Sequence, residues 1–206
     1  MVHRRGHWLI AAAYDRVMSP AEHDWLGEHR VRLAAHAWGR VLDVGAGTGA
    51  NLPLLRVADR LVAVEPDPAM RRRLVAKVRG EPGRPEIVDA VAEALPFADA
   101  SFDVVVFTLV LCSVTDVDRS LAEAHRVLTP DGRLLLLEHV RGHGRQGRWQ
   151  DRVTPLWSRV VAGCHPNRDI GGAVDRAGFR SDHAETFDPM PRWIPTSPML
   201  EIVARQ

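Results

Sequence analysis

Val41-Leu42-Asp43-Val44-Gly45-Ala46-Gly47-Thr48-Gly49 is the stretch that decides how this chain folds. Arg40 to Val44 reads as a short buried strand, three glycines at alternate positions interrupt it, and a helix is expected through Leu55. Strand, glycine turn and helix form the opening unit of a doubly wound α/β sheet. In such sheets ligands lie beyond the carboxyl ends of the strands, where strand order reverses. Downstream, Leu61–Glu65 is a second strand, Pro66-Asp67-Pro68 starts a helix with the arginines Arg71-Arg72-Arg73 on a solvated face, and Glu86–Asp89 is a third strand. Phe102–Leu111 is the most apolar run, and its valine-rich first half reads as a central strand. Asp116–Leu128 regains helical period, Thr129-Pro130-Asp131-Gly132 reads as a turn, and Arg133–Glu138 as the fifth strand. The glycine-rich, basic Arg141–Arg148 segment is expected to be a mobile loop. A Trp-bearing helical stretch, a helix ending near Gly178, and strands around Arg180–Phe187 and Leu200–Ala204 follow. Upstream, apolar positions from Ala21 to Trp38 recur with helical spacing after a Ser19-Pro20 start signal.

At 206 residues, 46% hydrophobic and 26% charged, the chain can bury a full core without staples. No linker divides it, so one domain is expected: an N-terminal helical lid over 1–38, a cofactor-binding core over 39–140, and acceptor-side helices and closing strands over 141–206. The apolar run Trp8–Ala13 is too short for a signal peptide or a membrane span, so the sequence predicts a cytoplasmic protein without stable membrane insertion, monomer or homodimer. Net charge is +1, with no global field toward nucleic acid. Lys77 is the only lysine, which nearly excludes Schiff-base chemistry. Cys112 and Cys164 stand far apart in sequence without a C-x-x-C partner, so neither a disulfide framework nor a four-ligand zinc site is expected from them. Core packing is the expected role of both.

The glycine turn has two readings. Gly45, Gly47 and Ala50 satisfy the dinucleotide pattern G-x-G-x-x-A, with Glu65 about twenty residues on. Against it stands Asp43 at the strand end: its carboxylate would repel a pyrophosphate and attract the ammonium or sulfonium of S-adenosylmethionine. Charge favours the sulfonium donor, and a nicotinamide-dependent reductase is the competing class.

Four blocks in order carry a resemblance: Val41–Gly49; Glu65; Leu95-Pro96-Phe97-Ala98-Asp99-Ala100-Ser101-Phe102-Asp103-Val104-Val105; and Arg126-Val127-Leu128-Thr129-Pro130-Asp131-Gly132. Together they resemble the class I S-adenosylmethionine-dependent methyltransferases over roughly residues 38–140. That resemblance implies a seven-stranded, mostly parallel sheet with the last strand antiparallel. Thr108-Leu109-Val110-Leu111-Cys112-Ser113-Val114, Glu138-His139-Val140, Trp149-Gln150, Pro155-x-Trp157, Gly163-Cys164 and Arg168 are similar to the methyltransferase-like 7 group and its bacterial relatives, whose studied members methylate alkyl thiols. Those animal relatives begin with a membrane-anchoring helix, and no counterpart of it is expected here, so residence at a lipid surface is not carried over. A further departure is Val91, standing where many class I enzymes place an acidic residue before Ala-Glu.

The cofactor set implied is Asp43, Gly45, Ala46, Gly47, Gly49, Asn51, Glu65, Pro66, Met70, Ala92, Glu93, Thr108 and Leu109, with S-adenosyl-L-methionine as donor and S-adenosyl-L-homocysteine as product. The glycines would let backbone approach the methionine portion, Glu65 would accept from both ribose hydroxyls, backbone near Ala92 with Met70 would hold adenine, and Thr108 and Leu109 would flank the sulfonium. Displacement of a methyl group from a sulfonium needs approach and a dry pocket more than it needs a base. His139, then His165, are the base candidates for a less nucleophilic acceptor, and a structural histidine is the competing reading of each. Glu138 either orients a histidine or ends its strand. Trp149, Trp157 and Trp193 line an acceptor pocket or pack the core, and Tyr14 belongs to the lid or the core. The acceptor is expected to be a small apolar molecule, first an alkyl thiol, second a quinone-like or phenolic metabolite. A protein that binds the donor without catalysis is a third possibility. No metal and no nucleic-acid partner is expected.

Overall fold

The computed structural model describes residues 8–80 and 83–206, with side chains from residue 15 onward. Seven strands lie in one sheet: β1 (Arg40–Val44), β2 (Arg60–Val64), β3 (Glu86–Val88), β4 (Phe102–Thr108), β5 (Leu128–His139), β6 (Arg180–Phe187) and β7 (Met199–Arg205). Their order is β3-β2-β1-β4-β5-β7-β6, and β7 alone runs against its neighbours. The doubly wound sheet with its reversed last strand is therefore as expected. Order reverses between β1 and β4, so the crevice at their carboxyl ends is the natural ligand site.

Both faces of the central strands are covered, which explains their near-continuous apolar runs. Leu134 and Leu136 of β5 pack with Leu121, Ala124 and Val127 of α4 (Val117–Val127) and with Ala173 and Val174 of α6 (Ile170–Arg176). Leu135 and Leu137 turn to the other face, against Leu33 of α2 (Gly27–Ala34) and Leu26. All four leucines are fully buried, and each such burial contributes roughly 1.5–3 kcal/mol relative to exposure. Two helix starts are capped as their sequences suggest. Asp67 accepts from Ala69 and Met70 ahead of α3 (Pro68–Lys77), and Asp116 accepts from Arg119 ahead of α4.

Several local expectations are corrected. Pro20 does not start a helix: it lies inside α1 (Trp8–Ala21), and the next five residues, Glu22–Leu26, open into a π-turn closed by the Gly27 N–H on the Glu22 carbonyl. The wider turn gives room after a residue that lacks an N–H. No α-helix forms through Leu55, where one turn closes from Leu55 N–H to Asn51 O before Ala58 bonds back to Leu55. The chain must already enter β2 at Arg60, so no longer helix fits. Pro130-Asp131-Gly132 does not leave the sheet. It forms an irregular stretch within β5, where Phe102 pairs with Leu128 but Val104 pairs with Arg133. Arg141–Arg148 is not a mobile loop, because α5 (Gly144–Val160) begins within it. Arg141 pairs with Asp151 at 2.8 Å, and fully buried Gln150 accepts from Gly142 N–H while its amide meets the carbonyls of Val140, Pro166 and Pro195. Arg71 is likewise not merely solvated: it donates to the Glu65 carbonyl and pairs with Asp89.

Candidate active site

A cleft of about 210 Å³ lies at the reversal point. Gly45, Gly47, Glu65, Pro66, Met70, Ala92, Glu93 and Leu109 all line it, as do Val91, Val110, Ser113, Val114 and Ala162. The glycine turn needs glycine for two different reasons. Gly45 (φ +69°) is left-handed, and a Cβ there would meet a Val110 methyl at 2.5 Å. Gly47 (φ +57°) is left-handed too, but the nearest atom to its would-be Cβ is Gly45 O at 4.0 Å, so a side chain there would project into open space. That open approach to backbone is the cradle an amino-acid moiety requires.

Glu65, at the end of β2, is buried. One of its oxygens accepts the Gly47 N–H at 2.8 Å and the other the Asp67 N–H at 2.7 Å. Burial pushes its pKa up against those two stabilising bonds. Each oxygen keeps a further lone pair, so the carboxylate ties the glycine turn to α3 and can still accept from a diol. Opposite it, Glu93 accepts from the Thr115 and Asp116 N–H groups while the Arg119 side chain holds its carbonyl, which fixes the Val91–Ala94 turn. Leu109 follows β4 in the left-handed region (φ 59°), uncommon for a leucine, and its N–H is anchored on Leu137 O. Strain of this kind persists only where surrounding structure enforces it.

Asp43, Asn51 and Thr108 do not line the cleft. Alternation along β1 turns Val44 to the cleft and Asp43 toward α2, where Asn51 donates to Asp43 and, more weakly, to Thr108, while Arg30 of α2 donates to Asn51. Asp43 is fully buried and its second oxygen has no partner, so burial raises its pKa to about 6 even though Asn51 and the Arg30 charge pull it down. An orphaned carboxylate oxygen behind a glycine cradle fits a cationic donor: a positive charge nearby would stabilise the anion that burial disfavours. Ala46 packs with Leu74 and Val78 of the α3 segment, and Gly49 O accepts from Lys77, so both support the turn from behind rather than face the cleft. Asp15 of α1 accepts from Thr48 in the turn and pairs with Arg73, which lays the N-terminal helix against the glycine loop. Tyr14, expected in the lid, lies outside the described side chains.

Neither base candidate reaches the cleft wall. His165 bonds through Nδ1 to Gly163 O, and His139 Nδ1 lies 3.6 Å from Cys164 Sγ. The three tryptophans do not line the cleft either; Trp149 donates to Trp193 O, and both are well exposed. Two arrangements escape a reading of the sequence. Glu138 is fully buried and accepts the N–H groups of Val110, Leu111 and Cys112, so it orients the loop after β4 rather than a histidine, and its pKa rises to about 7 through burial. Cys112 and Cys164, distant in sequence, meet at His139. There the Cys164 thiol is driven down, chiefly by its contact with Cys112 and then by His139, while the Cys112 thiol is pushed up by that same contact and by burial. A Glu-His pair closing a strand was the only signal for either.

Among the described residues, no helix is long and apolar enough to cross a membrane. Residues 42–136 match the family described as a methyltransferase domain. The chain is 35% identical over 165 residues to the thiol S-methyltransferase TMT1B of Rattus norvegicus, covering 78% of this chain and 68% of that one. It is 38% identical over 139 residues to the ubiquinone/menaquinone biosynthesis C-methyltransferase UbiE of Rubrivivax gelatinosus, covering 66% of this chain and 55% of that one. A solved S-adenosylmethionine-dependent methyltransferase of Thermotoga maritima shares its fold, with a TM-score of 0.70 at 19% identity over 97% of this chain and 98% of that one. Orphaned Asp43, the open backbone at Gly47 and these likenesses agree, and the chain belongs to the S-adenosylmethionine-dependent methyltransferases of the class I fold.

Proposed function

We propose that this methyltransferase acts on the sulfur of a small, apolar alkyl thiol. The observation that carries the reading is the chemistry of the cleft wall. Valine, alanine, leucine and methionine make up most of it, no histidine lines it among the described residues, and its three carboxylates, Glu65, Asp67 and Glu93, each already accept from backbone N–H groups. Ser113 donates to Val110 O. A thiolate is intrinsically a far stronger nucleophile than a phenolate of similar basicity, so the small fraction ionised in solution suffices, whereas a phenol or a carbon acid needs a positioned base. The likeness to the thiol S-methyltransferase also runs over 165 residues, beyond the 42–136 segment that matches the methyltransferase domain.

S-adenosylmethionine, when bound, supplies a methyl group on a positively charged sulfur. The residues of this chain do the rest by placement. Gly45 and Gly47 admit the amino-acid portion to the backbone, Glu65 accepts from the ribose, and the turn near Ala92 with Met70 holds the base. Leu109 and Val110, fixed by Leu137 and Glu138, set the floor on which the acceptor sulfur approaches in line. The thiolate electron pair forms the new S–C bond as the old one breaks, and two opposite charges vanish together, a change that a dry cleft favours.

A second acceptor class, a quinol-type ring, is supported by the likeness to UbiE. Presenting alkyl thiols, phenols and quinols with the methyl donor, and identifying products by mass, separates the two. Methyl thioether as the dominant product is expected; methylated rings with untouched thiols would overturn the thiol reading.

A further inference from the structure

Cys112, on the loop after β4, His139, at the end of β5, and Cys164, between α5 and α6, each offer one ligand atom, and these atoms all lie within 4.8 Å of one another. Both cysteines are buried and free, and the histidine is half-buried. The backbones that carry them are already fixed. Glu138 holds the N–H groups of Leu111 and Cys112, the Cys112 carbonyl accepts the His165 N–H at 2.7 Å, and Cys164 N–H bonds to Val161 O. Arg168 bridges the carbonyls of Leu111 and Val114 on either side of Cys112. The site is therefore pre-organised by backbone bonds that do not involve the three ligand atoms.

We propose that Cys112, His139 and Cys164 form a binding site for a zinc ion, with three protein ligands and one remaining position. Tetrahedral zinc bonds of about 2.3 Å to sulfur and about 2.0–2.1 Å to nitrogen place neighbouring S and N ligands about 3.5 Å apart. The His139 Nδ1 to Cys164 Sγ separation of 3.6 Å matches that edge. Two thiolates and a neutral imidazole make a zinc centre of zero net charge, which suits a buried place, and the thiol protons leave to solvent as the ion enters. Ser113 and Ala162, which line the cleft, are close in sequence to Cys112 and Cys164, so an ion here would brace the cleft's outer wall.

The test uses the whole chain, reduced by a phosphine and stripped of metal. Titration with zinc is expected to show one equivalent bound, with a Tm that rises with free zinc. Cobalt as a probe is expected to give the strong visible bands of a tetrahedral site together with sulfur-to-metal charge transfer. Cys112→Ser and Cys164→Ser should each weaken zinc binding on the order of a hundredfold and diminish the charge-transfer band. His139→Gln should weaken zinc while keeping that band, and circular dichroism establishes that each variant is folded. Wild-type protein that takes up no zinc at micromolar concentration, or that gives an octahedral cobalt spectrum without sulfur charge transfer, overturns the site. So does a folded cysteine variant that binds as tightly as wild type. None of these readouts depends on the acceptor, so the site and the thiol reading stand or fall separately.

Discussion

The carboxylate of Glu138 accepts the backbone N–H of Leu111 at 2.7 Å, so a side chain at the end of β5 fixes main chain beyond the end of β4. The same carboxylate takes the N–H of Val110, a residue whose methyls close against Gly45. One buried acid thus sets the spacing between the glycine turn and the opposite wall of the cleft.

Glu138→Gln keeps the shape but offers one acceptor oxygen and turns an NH₂ group toward N–H donors. The variant is expected to lose roughly 1–3 kcal/mol of stability, the cost of leaving buried donors unmatched. Because Leu109 and Val110 line the cleft, donor affinity should fall as well. Urea unfolding and calorimetry of the folded variant check both; full stability with unchanged affinity would mean that the loop holds itself.

Asp43→Asn is expected to have opposite effects on the free and the loaded protein. Burial raises the Asp43 pKa from 3.8 to about 6, so the folded state binds a proton more tightly than the unfolded state, and this group's contribution to stability declines as pH climbs from about 4 to above 6. At neutral pH the ionised, half-partnered carboxylate costs on the order of 2–3 kcal/mol at most, taking about 1.4 kcal/mol per pKa unit. The asparagine variant should therefore gain stability relative to wild type as pH rises through that window. Its affinity for S-adenosylmethionine should be several-fold weaker at pH 7.5, with the gap narrowing toward pH 5, where Asp43 is already neutral. Parallel pH series of urea midpoints and calorimetric affinities decide this, and a variant equal to wild type across the range counts against the electrostatic role.

The glycine turn divides in the same way. Gly45→Ala meets Val110 and a left-handed backbone together, and should cost stability of about 1–3 kcal/mol. Gly47→Ala meets only the backbone strain, so about 1 kcal/mol is expected, yet its methyl enters the cleft and should abolish most donor binding. Comparing Tm with donor affinity for the pair exposes a mistaken assignment, which would show as equal losses of both quantities in the two variants.

How much of this was legible in the sequence follows from the range of each interaction. The central strands could be read because apolar runs such as Phe102–Thr108 and Arg133–Glu138 are buried on both faces, and their composition says so directly. Gly45, Gly47 and Glu65 were legible as a turn and an acid at successive strand ends, and the structure brings them to one cleft. The nicotinamide alternative, formally allowed by the glycine spacing, falls to the family membership. What sequence could not supply was long-range pairing. Arg141–Arg148 looks flexible by composition but is held by Asp151 and Gln150, and the loop at Leu55 looks helical by composition but has no room before β2. Cys112 and Cys164 read as solitary because only the fold shows them sharing His139. Asp43 was expected to face the ligand; strand alternation turns it to α2, so its charge acts from behind the turn.

The most direct test is a pH–rate profile of methyl transfer to a series of alkyl thiols whose own acidities differ. With no histidine among the described residues of the cleft wall and its carboxylates held by backbone N–H groups, the inflection in kcat/KM should move with the acidity of each thiol, and the product should be its methyl thioether. An inflection that stays at one pH for every thiol would reveal an ionising group of the protein at work, and the absence of any thioether from a chain that binds the donor would refute sulfur as the acceptor.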